Sequence, residues 1–114
     1  MTRKLLLLVL ALASCSKGAE ADLPYIGEAR SLAAEWALVN EQSSQGKLTP
    51  TYTQVMRKDL REQLQTASKS LGQPNSPYGH AIDALLQQPD DASPERLRGY
   101  SDQLKQIEDK LESA

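Results

Sequence analysis

Three dipeptides constrain the fold of this chain more than any other feature of its sequence. Each places a hydroxyl residue directly before a proline: Thr49-Pro50, Ser76-Pro77 and Ser93-Pro94. A Ser or Thr side chain caps a helix by accepting a hydrogen bond from a free backbone N–H. Proline is favoured at the first helical position because it has no N–H to satisfy and its φ is already helical. The three pairs therefore predict three helix starts.

Apolar residues recur with helical spacing after these starts and in the segment before them. The spacing predicts helices over residues 23–45, 50–71, 77–88 and 94–112. Their apolar stripes are Ala29, Leu32, Ala33, Trp36 and Val39; Tyr52, Val55, Met56, Leu60, Leu64, Ala67 and Leu71; Tyr78, Ile82, Leu85 and Leu86; and Leu97, Tyr100, Leu104, Ile107 and Leu111. Short loops favour antiparallel neighbours. We therefore expect an all-α fold, an up-down bundle of three longer helices and one short helix.

The composition excludes several classes of protein. From Cys15 onward the chain has eleven basic and fifteen acidic residues, a net charge of about −4, whereas a nucleic-acid-binding domain is expected to be basic. The single Cys excludes a disulfide framework. Leu, Ile and Val number seventeen in those 100 residues, which is enough for only a thin core. No phosphate-binding glycine loop or catalytic triad is evident, and we expect neither an enzyme nor a cofactor.

The start of the chain has the organisation of a secretory signal peptide. Two basic residues, Arg3 and Lys4, precede an unbroken apolar run from Leu5 to Ala13, which small residues follow. Nine residues of helix rise only about 14 Å, whereas the hydrocarbon core of a bilayer is about 30 Å thick. The run is therefore too short for a stable membrane-spanning anchor.

The end of this run is more specific. Leu12, Ala13, Ser14 and Cys15 form a motif that resembles the lipobox of bacterial lipoproteins. The resemblance covers residues 1–15 only, and no family is recognised for residues 22–114. It implies a cleaved signal peptide over residues 1–14, diacylglyceryl and acyl (palmitate-type) chains on Cys15, a tether over residues 15–21 and a bundle domain over 22–114. Several acyl chains hold a protein firmly to a membrane, whereas one gives only marginal binding.

An alternative cleavage remains open at the same place. Ala11-Leu12-Ala13 also fits the A-x-A pattern of ordinary signal peptidase, and cleavage there would release a protein with Cys15 as a free thiol. In the lipoprotein family the residues after the lipid-bearing Cys determine sorting. Ser16 implies the outer membrane, on the inner leaflet facing the periplasm, and Lys17 weakens that assignment.

Two further features have a functional and a structural interpretation. His80 and Asp83 are separated by one helical turn and are weak metal-ligand candidates. A metal site normally needs three or four ligands, so we expect none here. The stripe that begins at Leu97 has heptad spacing. It allows weak self-association, but its two heptads favour packing inside one bundle.

The sequence therefore predicts a cellular location and a fold class. We expect a small lipid-anchored envelope protein that acts as an interaction or structural module for a protein partner. Two alternatives remain open: an accessory or inhibitory subunit of an envelope enzyme or transport machine, and a carrier of a small ligand or metal inside the bundle.

Overall fold

The three hydroxyl–proline pairs each begin a helix. The computed structural model describes residues 18–114, and every regular element in this range is helical. The helices are α1 (Gly18–Ala21), α2 (Leu23–Ser44), α3 (Pro50–Ser70), α4 (Pro77–Leu86) and α5 (Pro94–Glu112). The predicted all-α fold is confirmed, and the bounds of the four longer helices lie within two residues of those predicted.

The helix ends follow from local chemistry. The hydroxyls of Thr49, Ser76 and Ser93 each accept a hydrogen bond from the backbone N–H three residues later, at 3.1–3.2 Å. Gly46 follows α2 with a φ of 72°, a left-handed conformation that favours glycine and ends a helix. Because these interactions span three residues or fewer, the sequence could predict them.

Helix α3 runs antiparallel to α2. At one end the Thr53 hydroxyl lies 3.3 Å from that of Ser43, and at the other the backbone N–H of Gly72 donates to Asp22. Helix α5 also packs along α2 in the antiparallel sense, with Arg30 bonded to Glu108 near the start of α2. Helix α2 is therefore the central element, with α3 and α5 on different sides of it.

The short helix α4 completes the up-down arrangement beside α3. Ser68 of α3 donates to Asp83 of α4, and Arg61 of α3 donates to the carbonyl of Leu86, the last residue of α4. Helix α4 therefore ends opposite the middle of α3. The loop of residues 87–93 then crosses the bundle and leads into α5.

The core contains most of the predicted apolar positions. The fully buried large side chains include Ile26, Trp36, Leu60, Leu64, Ile82, Leu85, Leu97 and Leu104. The heptad-spaced stripe of α5 contributes Leu97 and Leu104 to this core, and Tyr100, Ile107 and Leu111 pack against it half-buried. Packing within one bundle is therefore confirmed for this stripe, while self-association stays a prediction.

The predicted core positions at the start of α3 are wrong. Tyr52 and Val55 are 51% and 59% exposed, and Thr53 is buried in their place. Both side chains lie off the face of α3 that packs in the core, which Thr53, Leu60 and Leu64 occupy. Helix α4 and the loop after it pack on another side of α3, at Ser68 and Arg61, so Tyr52 and Val55 stay exposed.

The segment predicted as a tether is described in part. Its last four residues form the helical turn α1, which contacts both α2 and the end of α5. The lipobox positions Leu12, Ala13 and Ser14, the lipid-attachment residue Cys15 and the sorting residues Ser16 and Lys17 lie outside the described residues.

Candidate functional site

Three large apolar side chains are exposed in the described part of the chain: two of them line one groove, and Val55 is one helical turn from one of these two. Leu38 of α2 is 49% exposed, close to the values for Tyr52 and Val55 of α3. Leu38 and Tyr52 line one groove of about 250 Å³ between the two helices. Exposed apolar side chains scattered singly are normal, whereas a contiguous patch is typical of an interaction surface. We call these three residues and the groove the tip patch.

The floor and rim of the tip patch come from α2, α3 and the loop between them. The remaining groove residues are Glu35, Val39, Gln42, Leu48 and Met56. Val39 is buried, and Leu48 and Met56 are half-buried against the core. An apolar floor with exposed apolar walls and a polar rim is the arrangement that protein interfaces show.

A buried polar network fixes the two helices at the level of the tip patch. The amide of Asn40, 5% exposed, donates to the carbonyls of Asp90 and Ala92 at 3.0 and 2.7 Å. The indole N–H of Trp36 donates to the same Asp90 carbonyl at 2.9 Å. Because both side chains come from α2, they hold the loop of residues 87–93 against that helix.

Two arginines of α3 extend this network. Arg57 donates through Nε to the Oδ1 atom of Asn40 at 2.9 Å. Arg61 donates to the carbonyls of Leu86 and Gln88 and to the Asp90 carboxylate, and its guanidinium lies 5.0 Å above the Trp36 ring. No buried side-chain nitrogen or oxygen in residues 18–114 is left without a partner, so the buried polar side chains at this end of the bundle are all hydrogen-bonded.

The opposite end of the bundle is closed by a buried carboxylate. Asp22 is 1% exposed and accepts from the backbone N–H groups of Gly72 and Gln73 and from the Tyr78 hydroxyl, at 2.7–3.0 Å. Burial raises the pKa of the Tyr78 hydroxyl above its usual value of 10.0, and its hydrogen bond to Asp22 raises it further. The start of α2 is thereby fastened to the loop between α3 and α4.

The tip patch and the described N-terminus lie at opposite ends of the molecule. Leu38 is fifteen residues after Leu23 on the same helix, which is a rise of about 22 Å. If residue 15 is fixed to a membrane, the tip patch is the part of these two helices that projects away from it.

The weak metal candidates acquire no further ligand. His80 and Asp83 are both exposed on α4, and Asp83 accepts from Ser68. Within the range 18–114, the carboxylates that lie close enough together to hold a metal are those of Glu108, Asp109 and Glu112. Glu108 already pairs with Arg30 at 3.0 Å, so this cluster is partly neutralised. The prediction of no metal site remains untested.

Sequence reasoning missed both the tip patch and the network beside it. The patch had one available signal, because Val55 is five residues before Leu60, about 140° around the helix from it, and so lies off the main apolar stripe. The network had none, because Asn40 and Asp90 are fifty residues apart and nothing in either segment points to the other.

Comparison with protein-family models, with curated proteins and with solved structures finds no significant match. No helix among the described residues is long and apolar enough to cross a membrane. The fold and its surfaces therefore carry the functional argument. Over residues 18–114 they describe a small all-α bundle with an exposed apolar groove at the end remote from residue 18.

Proposed function

We propose that this protein is a lipid-anchored module of the bacterial envelope that presents its tip patch to a protein partner. The tip patch is the observation that carries the proposal. Two of the three large apolar side chains that are exposed in the described part of the chain line its groove. Leaving them in water has a cost that a partner would remove, at about 25 cal/mol per Å² of apolar surface covered.

The N-terminal sequence supports the anchored part of the proposal. The basic residues, the apolar run and Cys15 after Leu12-Ala13-Ser14 resemble a lipoprotein signal, and Ser16 favours the outer membrane, facing the periplasm. Residue 18 and the tip patch lie at opposite ends of α2, so a membrane attached at residue 15 leaves the patch free for a periplasmic partner.

Anchoring is tested by replacing the lipid-bearing residue. We expect the Cys15→Ser variant to lose its partitioning into the detergent phase of a Triton X-114 extract, while the parent protein stays in that phase. A variant that partitions like the parent would favour the alternative cleavage after Ala13 and remove the lipoprotein part of the proposal.

Partner binding is tested by photo-crosslinking in intact cells. A benzophenone amino acid at position 52 replaces an aromatic side chain that is already exposed, and Gln65, exposed on the same helix outside the patch, provides the control position. We expect a discrete adduct from position 52 and none from position 65. The adduct should disappear in the Leu38→Asp background, in which a charge is placed in the groove while the core is untouched.

Equal adducts from both positions, or none from position 52, would contradict this use of the patch. A partner recovered from position 52 that is an envelope enzyme or transport component would support the accessory-subunit alternative. The carrier alternative predicts instead an apolar ligand or metal retained in native mass spectrometry.

A further inference from the structure

A second surface feature lies on the other side of α3 from the tip patch groove. It is a cavity of about 330 Å³ lined by Gln54, Arg57, Lys58, Arg61 and Asp90. The first four side chains project from α3, and Asp90 belongs to the loop of residues 87–93. The volume is within the lower range of small-molecule sites. We call it the basic cavity.

The guanidinium groups in the basic cavity are held in place by the protein. Arg57 is fixed through Nε by the buried amide of Asn40. Arg61 is fixed by two backbone carbonyls, by Asp90 and by the face of Trp36. Because these side chains are already ordered, they lose less conformational entropy on binding an anion than a flexible surface arginine would.

Part of this positive charge has no partner among the residues that the structure describes. Within residues 18–114, the terminal nitrogens of Arg57 and the ammonium of Lys58 make no hydrogen bond or ion pair, whereas Arg61 is paired with Asp90. Three cationic side chains against one carboxylate leave a local charge of about +2. This local excess of positive charge contrasts with the net charge of the chain, which is −2.

The charge and its geometry select the ligand. A guanidinium presents parallel N–H donors that match the oxygens of a phosphate or a carboxylate. A phosphate monoester carries about −1.5 to −2 at pH 7, which balances the cavity, whereas a single carboxylate supplies only −1. We propose that the basic cavity is a binding site for a phosphate group. Arg57 and Lys58 contact the phosphate, and Arg61, which its other contacts hold in place, forms one side of the cavity.

The position of the cavity indicates a soluble source for that phosphate. Arg57 is fourteen residues before Leu71 along α3 and its extension, a distance of about 21 Å, and Leu71 is beside the end from which the N-terminal segment leaves. If residue 15 is held at a membrane, the cavity lies beyond the plane of the headgroups. This site is independent of the partner proposed for the tip patch.

The chain contains its own reporter for the test. Trp36 is its only tryptophan and lies under the Arg61 guanidinium, so its fluorescence should respond to an anion in the cavity. Full-length protein in mild detergent is titrated with inorganic phosphate at constant ionic strength, with chloride as the balancing anion. We expect a saturable change in fluorescence with phosphate, and a weaker one with acetate, which carries a single negative charge.

Matched variants assign the signal to the cavity. Arg57→Gln and Lys58→Gln should each weaken phosphate binding, Arg57→Gln by at least about tenfold because hydrogen bonds to charged groups are strong. Lys69→Gln, an exposed lysine on the same helix outside the cavity, should bind like the parent. Far-ultraviolet circular dichroism confirms that each variant is folded.

Three results would overturn the proposal: no saturable response to phosphate, tighter binding of acetate than of phosphate, or equal weakening by Lys69→Gln and Lys58→Gln. The source is tested by repeating the titration after reconstitution into vesicles with and without phosphatidate. An unchanged titration supports the soluble ligand, whereas loss of the response in phosphatidate vesicles would assign the cavity to a headgroup and refute the soluble source.

Discussion

Replacing Asn40 with alanine is expected to destabilise this protein more than any replacement of an exposed polar residue on the same helix. The Asn40 amide joins three parts of the fold: α2, the loop of residues 87–93 through the carbonyls of Asp90 and Ala92, and α3 through Arg57. The substitution removes all three hydrogen bonds and leaves the Ala92 carbonyl without this donor in a buried position.

The magnitude follows from these contacts. Two hydrogen bonds to neutral carbonyls contribute about 0.5–1.5 kcal/mol each, and the one to the guanidinium about 1.5–3 kcal/mol. Because Arg57 is half-exposed and water can replace its lost acceptor, the lower values apply, which gives about 2.5 kcal/mol. Alanine recovers up to roughly 0.7 kcal/mol through its higher helix propensity. The free energy of unfolding should fall by about 2 kcal/mol.

Urea unfolding followed by circular dichroism at 222 nm measures this loss. With a slope of about 1–3 kcal/mol/M for a small protein, the midpoint should fall by roughly 1–2 M. Ser31→Ala, at an exposed position of α2, is the control and should change stability by less than about 0.5 kcal/mol. A double-mutant cycle with Arg57→Ala should give a coupling energy of at least about 0.5 kcal/mol.

A midpoint for Asn40→Ala equal to that of the Ser31→Ala control would refute this reasoning. It would mean that the loop of residues 87–93 is held by Trp36 and Arg61 alone, and that the Asn40 contacts replace hydration without net gain. Zero coupling with Arg57→Ala would more narrowly refute the role of Asn40 in fixing that guanidinium, on which the preorganisation of the basic cavity rests.

Three other predictions concern the end near Asp22 and the glycines. Tyr78 has a raised pKa in the folded protein. The stability that its hydroxyl contributes is therefore complete below pH 10, the pKa of the unfolded state, and decreases as the pH rises toward the folded pKa. Tyr78→Phe should flatten the fall in melting temperature at alkaline pH, and an unchanged fall would contradict the assignment. Gly79→Ala should cost about 1–3 kcal/mol, because a Cβ there would overlap the Pro74 carbonyl, and normal stability in urea would count against that packing. Gly99→Ala, with open space around an exposed helical position, should stabilise by about 0.5–1 kcal/mol, and a lower urea midpoint would be inconsistent with it.

The sequence predicted a helix start or end wherever a single local interaction determines it. Thr49, Ser76 and Ser93 accept from N–H groups three residues away, and Gly46 adopts a positive φ. Asp22 is the exception: it precedes a helix with Pro24 near its start but makes no side-chain cap to that helix. Its carboxylate binds the loop after α3 instead, a partner that no local rule identifies.

The tip patch shows where apolar spacing stops being informative. Helical periodicity assigns Tyr52 and Leu60 to one stripe, yet Tyr52 is 51% exposed and Leu60 is 1% exposed. Periodicity gives the direction in which a side chain points, and it does not give the neighbour that covers it. That neighbour depends on how the helices are arranged, because α4 and the loop after it pack on the Arg61 side of α3, away from Tyr52.

The sequence by itself therefore determined the all-α class and the limits of the four longer helices, because capping hydroxyls, prolines and Gly46 act within a few residues of themselves. It also supplies the lipoprotein-like motif ending at Cys15. Only the tertiary structure decided which apolar side chains stay in water and which cations stay unpaired. The physical reason is that burial and charge pairing depend on contacts between residues such as Asn40 and Asp90, which are far apart in the chain and meet only when the bundle forms.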